Sequence, residues 1–183
     1  MLYHDPLISE HTTNWIRSFI IEYSICPFAK GPVNKGSLRI ISSDARKQKQ
    51  AFADLITEIQ LLDKNPVIET TLVVFAHSFK NFFSYLDFIN DAEQFIHGLG
   101  YEGIYQLATF HPDYYFADTP TNDVSNYTNR SPYPMIHLLR EGSLDKAITA
   151  YGDTYAIPEK NIKTLKDLGL EKIKNLLNSI NIS

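Results

Sequence analysis

Residues 70–76 constrain the fold more than any other part of this 183-residue chain. The segment is apolar or β-branched throughout and shows no alternation with charged residues, which is typical of a strand covered on both faces. Apolar residues at helical spacing precede it at residues 52–62 and follow it at residues 85–99. This succession predicts a sheet with helices packed on it.

Asp44 and Ser84 are the predicted caps of these two helices. Further strands are predicted at residues 37–41, 104–110 and 133–139, and further helices from Thr12, Ser143 and Pro158. The order α-β-α-β-α-β-loop-β-α-α predicts an α/β or α+β fold on a mixed four-stranded sheet with helices packed on it. A ferredoxin-like arrangement is the alternative. A chain of this length is expected to form a single globular domain over residues 1–183.

Charge and cysteine content exclude several classes of protein. The formal net charge is −4 with only 17 Lys and Arg, so nucleic acid is not an expected partner. The single cysteine excludes an intramolecular disulfide and a cysteine-rich zinc site. The most apolar stretch is too short to span a bilayer, and no signal-peptide pattern is present. We expect a cytoplasmic protein without a membrane segment, and no pattern indicates an oligomeric state.

A long irregular segment, residues 110–133, separates the last two predicted strands. It has neither helical nor strand periodicity, and loops longer than about 12–15 residues in compact domains are usually functional or disordered. Its many tyrosines distinguish it from a disordered linker. We expect an ordered loop that shapes a site; a long connection pinned by tyrosines is the alternative.

His111 and Asp113 lie where the third predicted strand ends. Ligands of open α/β sheets bind outside the carboxyl ends of strands. An aspartate two residues away can orient a histidine or share a metal with it. Both residues are therefore candidate catalytic groups, with an ordinary turn at the strand end as the alternative.

A second histidine, His137, lies on an apolar face of the last predicted strand by alternation. It is either a core histidine or a partly buried acid or base. Arg130 precedes this strand and Arg140 follows it, and guanidinium groups bind carboxylates and phosphates through paired hydrogen bonds. A salt bridge between Arg140 and Glu141 is the alternative.

Cys26 directly precedes Pro27, which is suited to the first position of a short helical turn. A thiol at such a helix start, with Lys30 nearby, is expected to have a lowered pKa. Cys26 is therefore a further candidate catalytic residue. The alternative is a buried cysteine packed by Phe28.

Three of these candidates, His111, Asp113 and His137, have the composition of a facial metal triad. A divalent metal is therefore the candidate cofactor. The chain contains neither a phosphate-binding loop nor a glycine-rich dinucleotide motif, so no nucleotide cofactor is indicated.

Four long runs resemble the bacterial family catalogued as domain of unknown function 1415: "CPFAK", "YQLATFHPDYYFAD", "NYTNRSPYPMIHLLRE" and "IPEKNIKTLKDLG". The resemblance extends from Trp15 to Gly169 and implies a single-domain protein, without an activity to transfer. It places the family's polar signature on Cys26, His111, Asp113, Asn126, Arg130, His137, Arg140 and Glu141. One departure is Asp118, where the family commonly has glycine.

Three hypotheses follow for the function. The first is an enzyme acting on a small anionic metabolite, whose phosphate or carboxylate Arg130 and Arg140 bind. In this enzyme His137 or His111 is the acid or base and Asp113 orients a histidine, while the other substrate-binding candidates are Asn126, Glu141 and Tyr115. The second hypothesis is a metal-binding protein. The third is a non-catalytic module whose loop tyrosines contact a protein partner.

Overall fold

The computed structural model describes residues 1–180, in which five strands form one mixed sheet in the order β1-β2-β3-β5-β4. The strands are β1 (Leu2–Tyr3), β2 (Leu38–Ser43), β3 (Thr70–Val74), β4 (Tyr105–Phe110) and β5 (Met135–Arg140). β2 and β3 are parallel, whereas β5 is antiparallel to both of its neighbours, β3 and β4. The last strand in sequence is therefore inserted between two earlier ones.

Helices cover both faces of this sheet. They are α1 (Pro6–Trp15), α2 (Lys30–Lys35), α3 (Gln48–Lys64), α4 (Phe82–Gly98), α5 (Glu141–Tyr151), α6 (Ile157–Leu168) and α7 (Leu170–Ile180). α3 and α4 pack on one face. The other face packs against α1, α6, α7 and a π-helical turn, Ile16–Ile21, that extends α1. None of the helices in residues 1–180 is long and apolar enough to cross a membrane.

The predicted α/β class is confirmed, and the four predicted strands correspond to β2–β5. The sheet has a fifth strand, however, because the two residues of β1 pair with Ser42 and Ser43 at the edge. Two residues carry no periodicity, so β1 left no pattern in the sequence. The ferredoxin-like alternative is wrong, since that arrangement places two strands between its helices and here β3 alone separates α3 from α4.

Pro158 lies in the first turn of α6, as predicted, whereas α1 and α4 start elsewhere than predicted because other residues cap them. α1 begins at Pro6, where the Asp5 carboxylate accepts a hydrogen bond from the Ile8 N–H at 3.1 Å. Thr12 lies inside α1, and its hydroxyl donates to the Ile8 carbonyl at 2.7 Å. Asn81 caps α4 through the Ser84 N–H. The break predicted at Gly169 is confirmed: this glycine, at φ +77°, separates α6 from α7.

Alternation along β5 determines where its side chains lie. Ile136 and Leu138 are fully buried in the core under α3 and α4. His137 therefore lies on the opposite face, where Ala108 of β4 is its register partner. This face carries the candidate site.

Candidate functional site

A cavity of about 210 Å³ lies on the face of the sheet opposite α3 and α4. Its floor is formed by β2–β5, and its walls by the π-helical turn, the segment that follows it, α2 and α5. Apolar side chains dominate the lining and include Trp15, Ile16, Ile20, Leu72, Phe110 and Leu139. Such a concave, mostly apolar space is the usual form of a small-molecule site.

Few polar side chains line this cavity. They are Cys26, Glu69, Thr70, His137, Arg140 and Ser143. The structure therefore brings three predicted site residues, Cys26, His137 and Arg140, to one place, although more than a hundred residues separate the first from the other two. Any polar recognition in the cavity depends on this small group.

Helix α5 covers the cavity without being anchored in the core. Leu144 and Ala147 contribute to the lining, yet none of the residues from 141 to 151 is buried. The Tyr151 ring meets the Phe28 ring edge to face, with ring centroids 5.7 Å apart. Few buried contacts therefore hold this wall of the cavity.

The hydrogen bonds of Thr70 fix the proton on His137. The Thr70 hydroxyl donates its only hydrogen to the Leu138 carbonyl at 2.6 Å. Its oxygen lies 2.6 Å from His137 Nε2 and must accept there, so Nε2 carries the proton. His137 Nδ1 makes no hydrogen bond with any of residues 1–180. A half-buried, neutral imidazole thus offers the cavity one free acceptor.

The apolar surroundings lower the pKa of His137 from its ordinary 6.5 to about 4, because burial disfavours the charged ring. Between these two pH values the unfolded chain binds a proton at this position and the folded chain does not. The free energy of unfolding therefore rises with pH in this window, and the stabilisation is lost as the pH falls through it.

We expect acidification from pH 7 to 4.5 to cost the folded protein about 2 kcal/mol through His137 alone. His137→Gln, which cannot titrate, should show a correspondingly smaller fall in urea-unfolding free energy over the same range. His4→Gln, at an exposed histidine, serves as the control and should keep the full fall. Parallel pH profiles for the wild type and His137→Gln would show that the pKa of His137 is not lowered in the folded protein.

Cys26 behaves differently from its prediction. Burial raises the pKa of its thiol, and hydrogen bonds from the backbone of Phe28 and Ala29 offset this only in part. The helical turn predicted after Pro27 does supply those N–H groups, but removal of the thiolate from water outweighs them. The expected lowering of the pKa is therefore wrong, and Cys26 is a protonated thiol at neutral pH.

The fold uses four of the five N–H donors of Arg140. Its Nε donates to the Ile68 carbonyl at 3.2 Å and its Nη1 to the Tyr105 hydroxyl at 3.0 Å. Its Nη2 donates to the carbonyls of Leu62 and Asn65. Arg140 borders the cavity, but its hydrogen bonds go to the end of α3, the segment before β3 and Tyr105. The alternative salt bridge to Glu141 is not among the ion pairs of residues 1–180.

His111 lies on the other face of the sheet, fully buried against the Phe82 and Tyr85 rings of α4. The Asp113 N–H donates to its Nδ1 at 3.0 Å, so Nε2 carries the proton and donates to the Phe79 carbonyl at 2.8 Å. Burial lowers the pKa of His111. Both ring nitrogens are thus used in hydrogen bonds within the protein, one to the turn after β4 and one to the segment before α4.

The predicted metal set is not assembled. His111 and His137 lie on opposite faces of the sheet, and Asp113 is exposed. Across residues 1–180 no group of three or more His, Cys, Asp or Glu side chains is placed to hold a metal ion. His137 shares its face of the sheet with Ala108 and Phe110 of β4, and His111 directly follows Phe110, so alternation turns it to the opposite face.

The remaining candidates belong to the loop and its ends. Asn126, fully buried in a 3-10 helix (Val124–Thr128), accepts from the Phe116 N–H at 3.0 Å and donates to the Pro120 carbonyl at 2.8 Å. Tyr115 packs on Phe82. Glu141 begins α5 and donates its N–H to the Ile104 carbonyl at 3.0 Å. None of these three side chains lines the apolar cavity among the described residues.

Arg130 also belongs to the loop, and it fixes the backbone there. Its Nε donates to the Tyr114 carbonyl at 3.0 Å and its Nη2 to the Thr121 carbonyl at 2.7 Å. Its guanidinium lies over the Tyr127 ring, 4.4 Å from the centroid. Arg130 and Arg140 therefore serve separate parts of the fold rather than one clamp.

Thr70 and Trp15 are site residues that sequence reasoning missed. Thr70 lies in a buried strand and acquires its role only when β3 pairs with β5, 67 residues away. Trp15 lines the cavity, and its indole N–H donates to the Arg130 carbonyl at 3.1 Å. The apolar stripe of α1 predicts that Trp15 is buried, but it does not predict that Trp15 lines a cavity.

Comparison with known proteins gives one match. A family model described as "Protein of unknown function (DUF1415)" matches residues 7–175, in agreement with the resemblance seen in the sequence. No curated protein and no solved structure matches the chain.

Proposed function

The chain belongs to the DUF1415 family, and from its cavity we propose that the protein binds a small, largely apolar molecule with one hydrogen-bond donor. One observation carries the proposal: an apolar cavity in which the neutral His137 ring keeps one acceptor, Nδ1, without a hydrogen bond from residues 1–180. Engineered apolar cavities of about 150 Å³ bind benzene. A cavity of about 210 Å³ accepts a compact aromatic or branched aliphatic ligand.

Binding is better supported than catalysis because neither reactive side chain is activated. An acid or base works best with a pKa near the working pH, and the pKa of His137 is lowered to about 4. A nucleophilic cysteine requires a thiolate, and burial raises the pKa of Cys26. Both groups remain neutral at pH 7 and suit an apolar ligand.

A neutral ligand is also better supported than the anionic metabolite of the first hypothesis. The guanidinium at the cavity, Arg140, donates to three carbonyls and a hydroxyl of the protein. A carboxylate, Glu69, lines the same space; it pairs with Lys35 at 3.7 Å and offers an anion no donor. The cavity therefore favours a hydroxyl or amide as the polar end of its ligand.

Phenol and toluene, which have nearly the same shape, test this proposal. We expect phenol to bind more tightly than toluene because its hydroxyl donates to His137 Nδ1. His137→Leu should weaken phenol binding by about tenfold and leave toluene binding nearly unchanged. The fluorescence of Trp15, the only tryptophan, reports both titrations from the cavity wall.

His4→Gln, at an exposed histidine, is the control and should bind both probes as the wild type does. Equal affinity of the wild type for phenol and toluene would show that His137 Nδ1 accepts no hydrogen bond from the ligand. Failure of both probes to bind at millimolar concentration would refute the binding function itself.

A further inference from the structure

A second cleft, of about 190 Å³, lies between the long loop and α7. Its lining is more polar than that of the apolar cavity and includes Arg130, Ser131, Pro132, Lys174, Leu177 and Asn178. The two cations come from segments far apart in the sequence, one from the loop and one from the last described helix. The fold therefore brings two positive charges together in a chain whose net charge is −4.

Arg130 is held in place by the loop and keeps N–H donors that make no hydrogen bond with residues 1–180. Its Nε and Nη2 hydrogen bonds to loop carbonyls and its position over the Tyr127 ring fix the plane of the guanidinium. Its Nη1 makes no hydrogen bond with residues 1–180. A guanidinium that is already immobilised loses little entropy when it binds an anion, and its planar fork matches phosphate and carboxylate oxygens.

Lys174 supplies the second charge. Its side chain is exposed and forms no ion pair with the described part of the chain. Asn178, one turn further along α7, lies on the same side of the helix and adds an amide donor. Among the described residues no Asp or Glu lines the cleft, so these positive charges are not compensated there.

We propose that this cleft is a binding site for a small oxyanion, a phosphate or carboxylate group, between Arg130 and Lys174. The Arg130 Nη1 hydrogens and the Lys174 ammonium donate to its oxygens, and the Asn178 amide completes the set. This site is separate from the apolar cavity and does not depend on the function proposed for it.

Lys174→Gln tests the site without threatening the fold, because Lys174 is exposed and makes no polar contact with residues 1–180. We expect inorganic phosphate to shift the amide resonances of Arg130, Ser131 and residues 174–178 saturably in the wild type. Lys174→Gln should weaken this binding by about tenfold, the usual effect of losing one charge-assisted hydrogen bond. A parallel titration with acetate decides whether the site prefers phosphate or carboxylate.

Lys172→Gln is the matched control, since Lys172 is exposed on the same helix and does not line the cleft. It removes the same charge and should leave phosphate binding unchanged. Arg130→Lys, checked for folding by its amide spectrum, should also weaken binding. Equal shifts with chloride at matched ionic strength, or equal weakening by Lys174→Gln and Lys172→Gln, would overturn the proposal, since either result reduces it to general charge screening.

Discussion

Ala108→Leu should abolish binding of phenol in the apolar cavity while leaving the protein folded. Ala108 lines the cavity from β4 and is the register partner of His137. The larger side chain occupies the space that a ligand needs and lies beside its acceptor. Loss of affinity beyond tenfold is expected, because overlap with a packed side chain cannot be relieved cheaply. Stability should stay the same or increase slightly, since filling a void is often stabilising.

Gln106→Leu provides the matched control. Gln106 is two residues from Ala108 on β4, so its side chain leaves the same face of the sheet, but it is exposed and does not line the cavity. The variant carries the same leucine on the same strand and should bind phenol normally. If Ala108→Leu bound phenol as the wild type does, the ligand would have to lie elsewhere.

Arg140→Ala should lower the free energy of unfolding by about 3 kcal/mol, since charge-assisted hydrogen bonds are worth about 1.5–3 kcal/mol each and this side chain is partly exposed. The guanidinium links the carbonyls of Leu62, Asn65 and Ile68 to the Tyr105 hydroxyl. It therefore holds the end of α3 and the start of β3 against β4. For a chain of this size the melting temperature should fall by roughly 10 °C.

Arg140→Lys should recover only part of this loss, because one ammonium group cannot reach all four acceptors. Arg46→Ala, at an exposed arginine, controls for the change of charge and should alter stability by less than about 0.5 kcal/mol. Urea unfolding measures all three variants. An Arg140→Ala protein as stable as the wild type would mean that this guanidinium is free for a ligand after all.

Local periodicity was sufficient to predict strands β2–β5 and most of the helices, but it predicted neither β1 nor which strands pair. The alternation that placed His137 on an apolar strand face is confirmed, since it lies among Leu72, Phe110 and Leu139. Its hydrogen bond with Thr70 depends on the β3–β5 register, which brings together residues 67 positions apart. No pattern within a single segment carries that information.

Polar residues in the long loop were predicted to form a site, and most of them stabilise the loop itself. A segment without regular secondary structure must satisfy its backbone N–H and C=O groups in other ways. Asn126, Arg130 and His111 do so by bonding to the backbone of Phe116, Tyr114 and Phe79, respectively. Many polar side chains in an irregular loop can therefore mean that they bond to the loop's backbone groups, and need not indicate a catalytic or binding site.

The insertion of β5 between β3 and β4 determines when this chain can fold. Neither the parallel pair β2–β3 nor β4 is joined to the other until residues 135–140 are available. A nascent chain that ends earlier carries β3 as an open edge with unpaired backbone groups, the kind of surface that invites association. Closing the sheet then links residues 67 and 68 positions apart, at an entropic cost that slows folding. The strand that carries His137 therefore completes both the cavity floor and the sheet.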